Sequence, residues 1–218
     1  MTDSSTERLL SAIWGNRKGY VFVPHKDLTD ERKWHETPGI PINGSLPPIN
    51  IPERSDVYFC PVVFSEPQRR KEYALPTNLL WADLDPVNPN DCRVRPSIAW
   101  ESSPGRFQAL WFLNREVDPD EAASLSKRIA YADGADTGGW DLTQVLRLPG
   151  TKNFKYPAAP TVKLLWAKRA SYSPDEIKRK YPPVNGEAKH DLDWPAANEI
   201  EIQSAIKSLS RGLQARIR

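Results

Sequence analysis

A mixed β-sheet with helices packed on it is the architecture this sequence predicts, and three observations point there. Apolar runs at residues 57–64, 79–82 and 107–113 read as strands, each bounded by proline, glycine or charged residues. The runs at 97–100 and 107–113 flank Ser103-Pro104-Gly105-Arg106, where Pro followed by Gly suits the two central positions of a type II turn and makes a hairpin. Between such runs lie amphipathic stretches: residues 119–132 set Ala122, Leu125 and Ile129 on one helical face behind Pro119, a favoured first-turn residue.

Along the chain, Ser4-Ser5-Thr6-Glu7 reads as a capping box before Leu9, Leu10, Ile13 and Trp14 at helical spacing, and Gly15 or Gly19 ends that helix. Residues 20–24 look like a strand. Residues 25–55 are polar and broken by Pro38, Pro41, Pro47, Pro48 and Pro52, which predicts a long irregular loop. In the strand at 57–64, Pro61 marks an edge or a bulge, because it has no N–H for a ladder. The basic triplet Arg69-Arg70-Lys71 precedes a strand ending at Asp85-Pro86. A glycine-rich bend at 134–139 follows the 119–132 helix, and residues 161–166 form a late strand. Ser173-Pro174-Asp175-Glu176 opens a short capped helix. Residues 182–198, with Pro182, Pro183, Gly186 and Pro195, read as a linker. From about residue 199, Ile202, Ile206, Leu209, Leu213 and Ile217 share a helical face that needs a partner surface. The expected division is therefore 1–181 as the main domain, 182–198 as a linker, and 199–218 as a helical appendage or the start of a helical domain.

Bulk properties narrow the function. At 218 residues and 39% hydrophobic, the chain can bury one substantial core. Its net charge of +2 and pI near 8.5 set up no global field, so any polyanion must be held by local clusters. Two cysteines, Cys60 and Cys92, show neither zinc spacing nor a disulfide framework, which suits a reducing cytoplasm. No apolar run approaches the roughly 18 residues of a membrane span, so no membrane partner is expected.

The most informative stretch is Leu79-Leu80-Trp81-Ala82-Asp83-Leu84-Asp85-Pro86. On a strand, residues i and i+2 share a face, so Asp83 and Asp85 project together while Leu84 faces away. Two carboxylates held this close repel, and a divalent cation relieves them. A strand running into a solvated turn gives the same letters.

Two further segments decide between these readings: Ser102-Ser103-Pro104-Gly105-Arg106-Phe107-Gln108-Ala109-Leu110-Trp111, and Asp141-Leu142-Thr143-Gln144-Val145-Leu146-Arg147-Leu148-Pro149-Gly150-Thr151-Lys152-Asn153-Phe154-Lys155. In this order the three resemble the motifs of the archaeo-eukaryotic primase superfamily, and most of all the primase–polymerase domains of phage and plasmid replication proteins. The likeness spans about residues 56–166, and the Arg-Leu-Pro-Gly-Thr-x-Asn-x-Lys string is its most specific part.

The resemblance implies an α+β fold with an RRM-like mixed sheet. It assigns Asp83, Asp85 and Asp141 as ligands of two Mg²⁺ or Mn²⁺ ions and as catalytic residues for nucleotidyl transfer. Asp136 is the rival third ligand; Asp141 is preferred for its distance from the Arg-Leu-Pro-Gly string. Ser103 and Gln108 take the nucleotide-phosphate positions of the second motif, with Gln108 where the pattern more often has His. Gly105 brings the turn backbone to phosphate, and Arg106, Arg147 and Lys155 are candidate phosphate contacts. Trp140 is the tryptophan best placed to stack on a base. Most of the eight tryptophans belong to the core, and His25, His35 and His190 receive no role. The implied function is primer synthesis from nucleoside triphosphates on single-stranded DNA, in a protein that in this family can also carry a helicase domain. The rivals are a catalytically lapsed single-strand-binding module and a template-independent, metal-dependent nucleotidyltransferase.

Overall fold

The computed structural model describes residues 4–28 and 33–184, with side chains from Thr6 onward. The chain divides into two units, Met1–Pro182 and Pro183–Arg218, and everything below concerns the first. The expected linker beyond residue 184 and the helix at 199–218 lie outside the described residues.

The fold is α+β, and its central sheet is mixed. Strands β6 (Thr77–Asp85), β7 (Ile98–Ser103), β8 (Arg106–Val117), β10 (Lys163–Ala167) and β11 (Ser171–Tyr172) build that sheet. Its long axis is β8, which pairs antiparallel with β7 on one edge and with β6 on the other. Beyond the end of β7, β11 joins β8 in parallel, while β10 adds to the far edge of β7. The predicted hairpin is the β7–β8 junction, closed at Ser103↔Arg106, with Gly105 at φ 72 as the third position of the turn requires.

Helix α2 (Pro119–Asp133) packs on β6, burying Ala122, Leu125 and Ile129, and it stops at Gly134 in the left-handed conformation (φ 75). Helix α1 (Ser4–Trp14) buries Leu9, Leu10, Ile13 and Trp14, and α3 (Pro174–Lys180) starts at Ser173, whose hydroxyl accepts from Glu176 N–H (3.1 Å). Trp14, Trp81, Trp100 and Trp111 are fully buried, while Trp34, Trp140 and Trp166 are half-buried.

Two expectations need correction. The proline-broken stretch at 25–55 is not a wholly irregular loop. It contributes β2 (His25–Asp27), β3 (Trp34–His35) and β4 (Ile40–Asn43), with β4 pairing β1 (Lys18–Val21) in a two-stranded ribbon. Pro41 is tolerated there because it sits on an edge. The run at 57–64 is not one continuous strand: β5 (Ser55–Phe59) ends before Pro61. Cys60 N–H still bonds Phe22 O (3.1 Å), but the next rung comes only at Phe64 and Tyr20, so Pro61 lies in a bulge between two paired stretches. A four-stranded sheet, β3-β2-β5-β9, then brings β9 (Leu146–Arg147) beside Tyr58 and Phe59.

Candidate active site

The end of β6 is bulged. Asp83 faces Gln108 across β8 and Asp85 faces Phe107, so two residues of β6 advance against one of β8. Leu84 is the extra residue and is fully buried, and Asp85 takes a left-handed backbone (φ 51) that a short polar side chain tolerates. The simple strand alternation is thereby broken, and the two carboxylates find different partners. Asp83 accepts from Gln108 Nε2 at Oδ2 (3.1 Å), whereas Asp85 pairs with Arg106 at the hairpin.

Burial raises the Asp83 carboxyl above its ordinary range, and the charges of Asp85 and Asp136 push it further. Hydrogen bonds from the Gln108 amide and the Asp85 N–H oppose that shift. Asp136 belongs to the glycine-rich bend, whose backbone is anchored on the strand end: Asp136 N–H donates to Asp83 O (2.9 Å). Gly139 closes the same contact, since a Cβ there would sit 3.4 Å from Asp83 Cβ.

Asp141 faces other partners. Its Oδ1 accepts from Thr143 N–H (2.7 Å) and from the Thr143 hydroxyl. It lines a cavity of about 740 Å³ together with Arg70, Lys71, Glu72, Asp120 and Trp140. Trp140 carries Lys127 Nζ 4.9 Å from its ring centre. Arg69, from the basic triplet, instead makes an ion pair with Glu36 (2.6 Å) and donates to Thr143 O.

Beside Asp85 opens a cleft of about 330 Å³ lined by Asp85, Ser103, Arg106, Arg147, Asn153, Lys155 and Tyr156. Five of these were singled out from the sequence, and three elements deliver them: the bulged end of β6, the β7–β8 hairpin, and β9 with the loop after it. Three cations face one carboxylate, so the cleft favours an anion. Tyr156 registers that field. Its hydroxyl is held below the ordinary phenol range first by a hydrogen bond from Ser103 (3.5 Å) and then by the charges of Lys155, Arg106 and Arg147.

The loop behind the cleft is strongly braced. Arg147 Nη1 lies 3.1 Å from Asp56 Oδ1, and its guanidinium stacks 4.9 Å above the Tyr58 ring. The same Asp56 oxygen accepts from Phe154 N–H (2.6 Å). Asn153 is fully buried; its amide donates to Ser102 O (2.8 Å) and accepts from Lys155 N–H (3.1 Å), which fixes the Lys155 backbone. Gly150, at φ 90, leaves room for Thr6, since a Cβ would meet Thr6 Oγ1 at 2.4 Å; that hydroxyl donates to Pro149 O (3.0 Å).

Two expected phosphate contacts point elsewhere. Gly105 N–H donates to Glu101 Oε1 (2.9 Å), and Pro104 has no N–H, so the turn amide serves its own hairpin. Gln108 is buried and does not line the cleft. The sequence reading gave no role to Asn153 and Tyr156. The available signal was an Asn two residues before Lys155, since a buried Asn bonding the backbone two residues on is the usual way such a loop is fixed.

The donor set around Asp83 fits a hard divalent cation: carboxylate oxygens, one of them buried, with like charges at Asp85 and Asp136. Among the described residues no three His, Cys, Asp or Glu side chains already converge as a complete ligand set.

The family described as RepB DNA-primase N-terminal domain matches residues 68–183, just over half of the 218 residues. No curated protein matches the sequence. Among solved structures, the AEP domain of the cyanophage S-2L primase–polymerase superposes with a TM-score of 0.63 at 15% identity, covering 83% of this chain and 98% of that one. The catalytic domain of primase RepB′, in complex with initiator DNA, gives 0.55 at 16% identity, covering 81% and 92%. A second RepB′ structure gives 0.54 at 15% identity, covering 98% and 67%. At these identities the likeness is one of fold.

Proposed function

The chain belongs to the family of RepB DNA-primase N-terminal domains, and from that premise we propose that it is the catalytic domain of a DNA primase–polymerase, joining nucleoside triphosphates on a single-stranded DNA template during replication. The observation that carries the reading is the cleft in which Asp85, Ser103, Arg106, Arg147 and Lys155 converge, next to Asp83.

In this reading Arg106, Arg147 and Lys155 bind the triphosphate. Arg147 is fixed by Asp56 and Tyr58, so little of its side-chain freedom is lost on binding, while Asn153 holds the backbone that carries Lys155. Ser103 donates a hydrogen bond to a phosphate oxygen in place of Tyr156. Asp83 and Asp85 hold Mg²⁺ or Mn²⁺, and Asp136, whose backbone is bonded to Asp83 O, is the third carboxylate in preference to Asp141, which lines the cavity beside Trp140. When bound, the metal neutralises the phosphates and activates the attacking 3′-hydroxyl. The remaining work of the protein is positioning, because in-line phosphoryl transfer asks for little else.

The test is primer synthesis on single-stranded DNA with labelled nucleotide and Mn²⁺, comparing the wild type with Asp83→Asn/Asp85→Asn. Template-dependent oligomers made only by the wild type support the reading. Products that do not depend on template favour a template-independent nucleotidyltransferase. No product from either protein, with DNA still bound, leaves a single-strand-binding module.

A further inference from the structure

We propose that Gln108 is a positioning residue that orients the Asp83 carboxylate for metal and fixes it relative to the anion-binding strand β9; the proposal rests on the metal reading above. The side chain is buried on β8. Its Nε2 donates to Asp83 Oδ2 (3.1 Å), and its Oε1 accepts from Trp100 Nε1 (3.0 Å) and from Arg147 N–H (2.9 Å). One amide thus ties four strands: β6 with the carboxylate, β7 with Trp100, β8 with itself, and β9 with Arg147.

The chemistry requires an amide. The two N–H donors need an acceptor, and the Asp83 carboxylate needs a donor from the same planar group. A primary amide does both at this reach, its carbonyl oxygen having two lone pairs for the two N–H groups and its nitrogen a proton for the carboxylate. Trp100 fixes which end points where, since its indole nitrogen is a donor only. Bonded at Oδ2 by Gln108, and also accepting from Asp85 N–H, the Asp83 carboxylate has its rotation set. The bond from the Arg147 backbone N–H holds β9, which carries the Arg147 side chain, beside the carboxylate. A group that fixes a ligand without touching the metal typically changes metal affinity by about 10–100-fold when lost.

The experiment measures Mn²⁺ binding directly, by electron paramagnetic resonance titration without nucleotide, for the wild type, Gln108→Met and Gln108→Asn. Methionine keeps the volume and removes all three bonds. Asparagine keeps the amide but is one methylene too short to span from β8 to both Asp83 and β9, and it serves if the methionine variant does not fold. The expected result is Mn²⁺ affinity weakened by about 10–100-fold in either folded variant. Primer synthesis should then recover much of its maximal rate at high Mn²⁺, whereas a purely structural role would lower thermal stability and leave the Mn²⁺ affinity alone. Affinity within threefold of the wild type in a folded variant overturns the proposal. Failure of the wild type itself to bind Mn²⁺ overturns the metal reading on which the proposal stands, and the two failures are told apart by which protein shows them.

Discussion

Replacing Arg147 by methionine should cost fold stability as well as nucleotide binding, and the structure sets the size of the stability loss. The guanidinium lies 3.1 Å from Asp56 Oδ1, with side-chain exposures of 10% and 0% for the two partners. Removing one member of a buried pair costs about 3–5 kcal/mol, because the remaining charge stays in a poorly solvated site. Here the Phe154 N–H, 2.6 Å from the same oxygen, stays in place and softens the loss, which argues for the lower end, about 3 kcal/mol. Methionine preserves most of the packing over Tyr58, so cavity terms stay small. For a unit of this size, about 2–4 °C of melting temperature per kcal/mol translates to a drop of about 6–12 °C. The assay is thermal and urea unfolding of the wild type, Arg147→Met, Asp56→Asn and the double variant. The double variant should recover part of the loss, with a coupling of about 1–3 kcal/mol, since neutralising both partners removes the stranded charge. A single variant within about 1 kcal/mol of the wild type, or strict additivity, would refute the argument that the pair braces the loop.

Other consequences are open to direct measurement. Asp136→Asn should lower primer synthesis by at least about 100-fold, while Asp141→Asn, at a residue that lines the cavity beside Trp140 rather than the Asp85 cleft, should lose less than about 10-fold; the reverse order would restore Asp141 as the third ligand. Lys155→Ala should raise the KM for nucleotide by about 10–100-fold, the worth of one charge-assisted hydrogen bond, with a smaller effect on kcat. Stability should also fall on mild acidification through His25. Burial, and then the charge of His35 stacked 5.1 Å away, lower its pKa from the ordinary 6.5. A base with a lowered folded pKa binds protons more readily when unfolded. Its contribution is therefore full above 6.5 and is lost as pH falls from there through the folded value. Urea midpoints at pH 7.5 and 5.5 should differ less in His25→Gln than in the wild type; an equal difference would exclude His25 as the source.

The parts of the fold legible in the sequence are those where a local rule and the tertiary structure ask for the same residue. Pro104-Gly105 closes a hairpin because the turn needs a fixed φ followed by a positive one, and Gly105 supplies 72°. Pro119 opens α2 and Gly134 ends it, each at the helix position where its backbone is favoured. Residues 25–55 failed the same approach. Strands of two to four residues are too short to show apolar alternation, and the edge position of β4 tolerates Pro41, so β2, β3 and β4 leave almost no periodic trace. Their pairing with β1 and β5 is a long-range choice that no local pattern encodes.

For the site, residue types were legible but directions were not. Asp-x-Asp on a strand predicts two carboxylates on one face, and that inference holds only while the ladder is regular. Leu84 breaks it: the buried leucine takes a step that β8 does not, and Asp85 compensates with φ 51. The outcome is a division of labour rather than a simple pair. Asp83 turns toward a buried amide and the Asp136 bend, and Asp85 turns toward Arg106 and the anion cleft. A regular strand would have packed both charges into one spot with no cation of the protein nearby. The bulge lets a single strand end supply a buried carboxylate, Asp83, and the border of the cationic cleft, Asp85, together. Gln108 follows the same logic: the family resemblance implied a phosphate contact, but a side chain opposite Asp83 in register faces the carboxylate, and only the register, a tertiary property, says so.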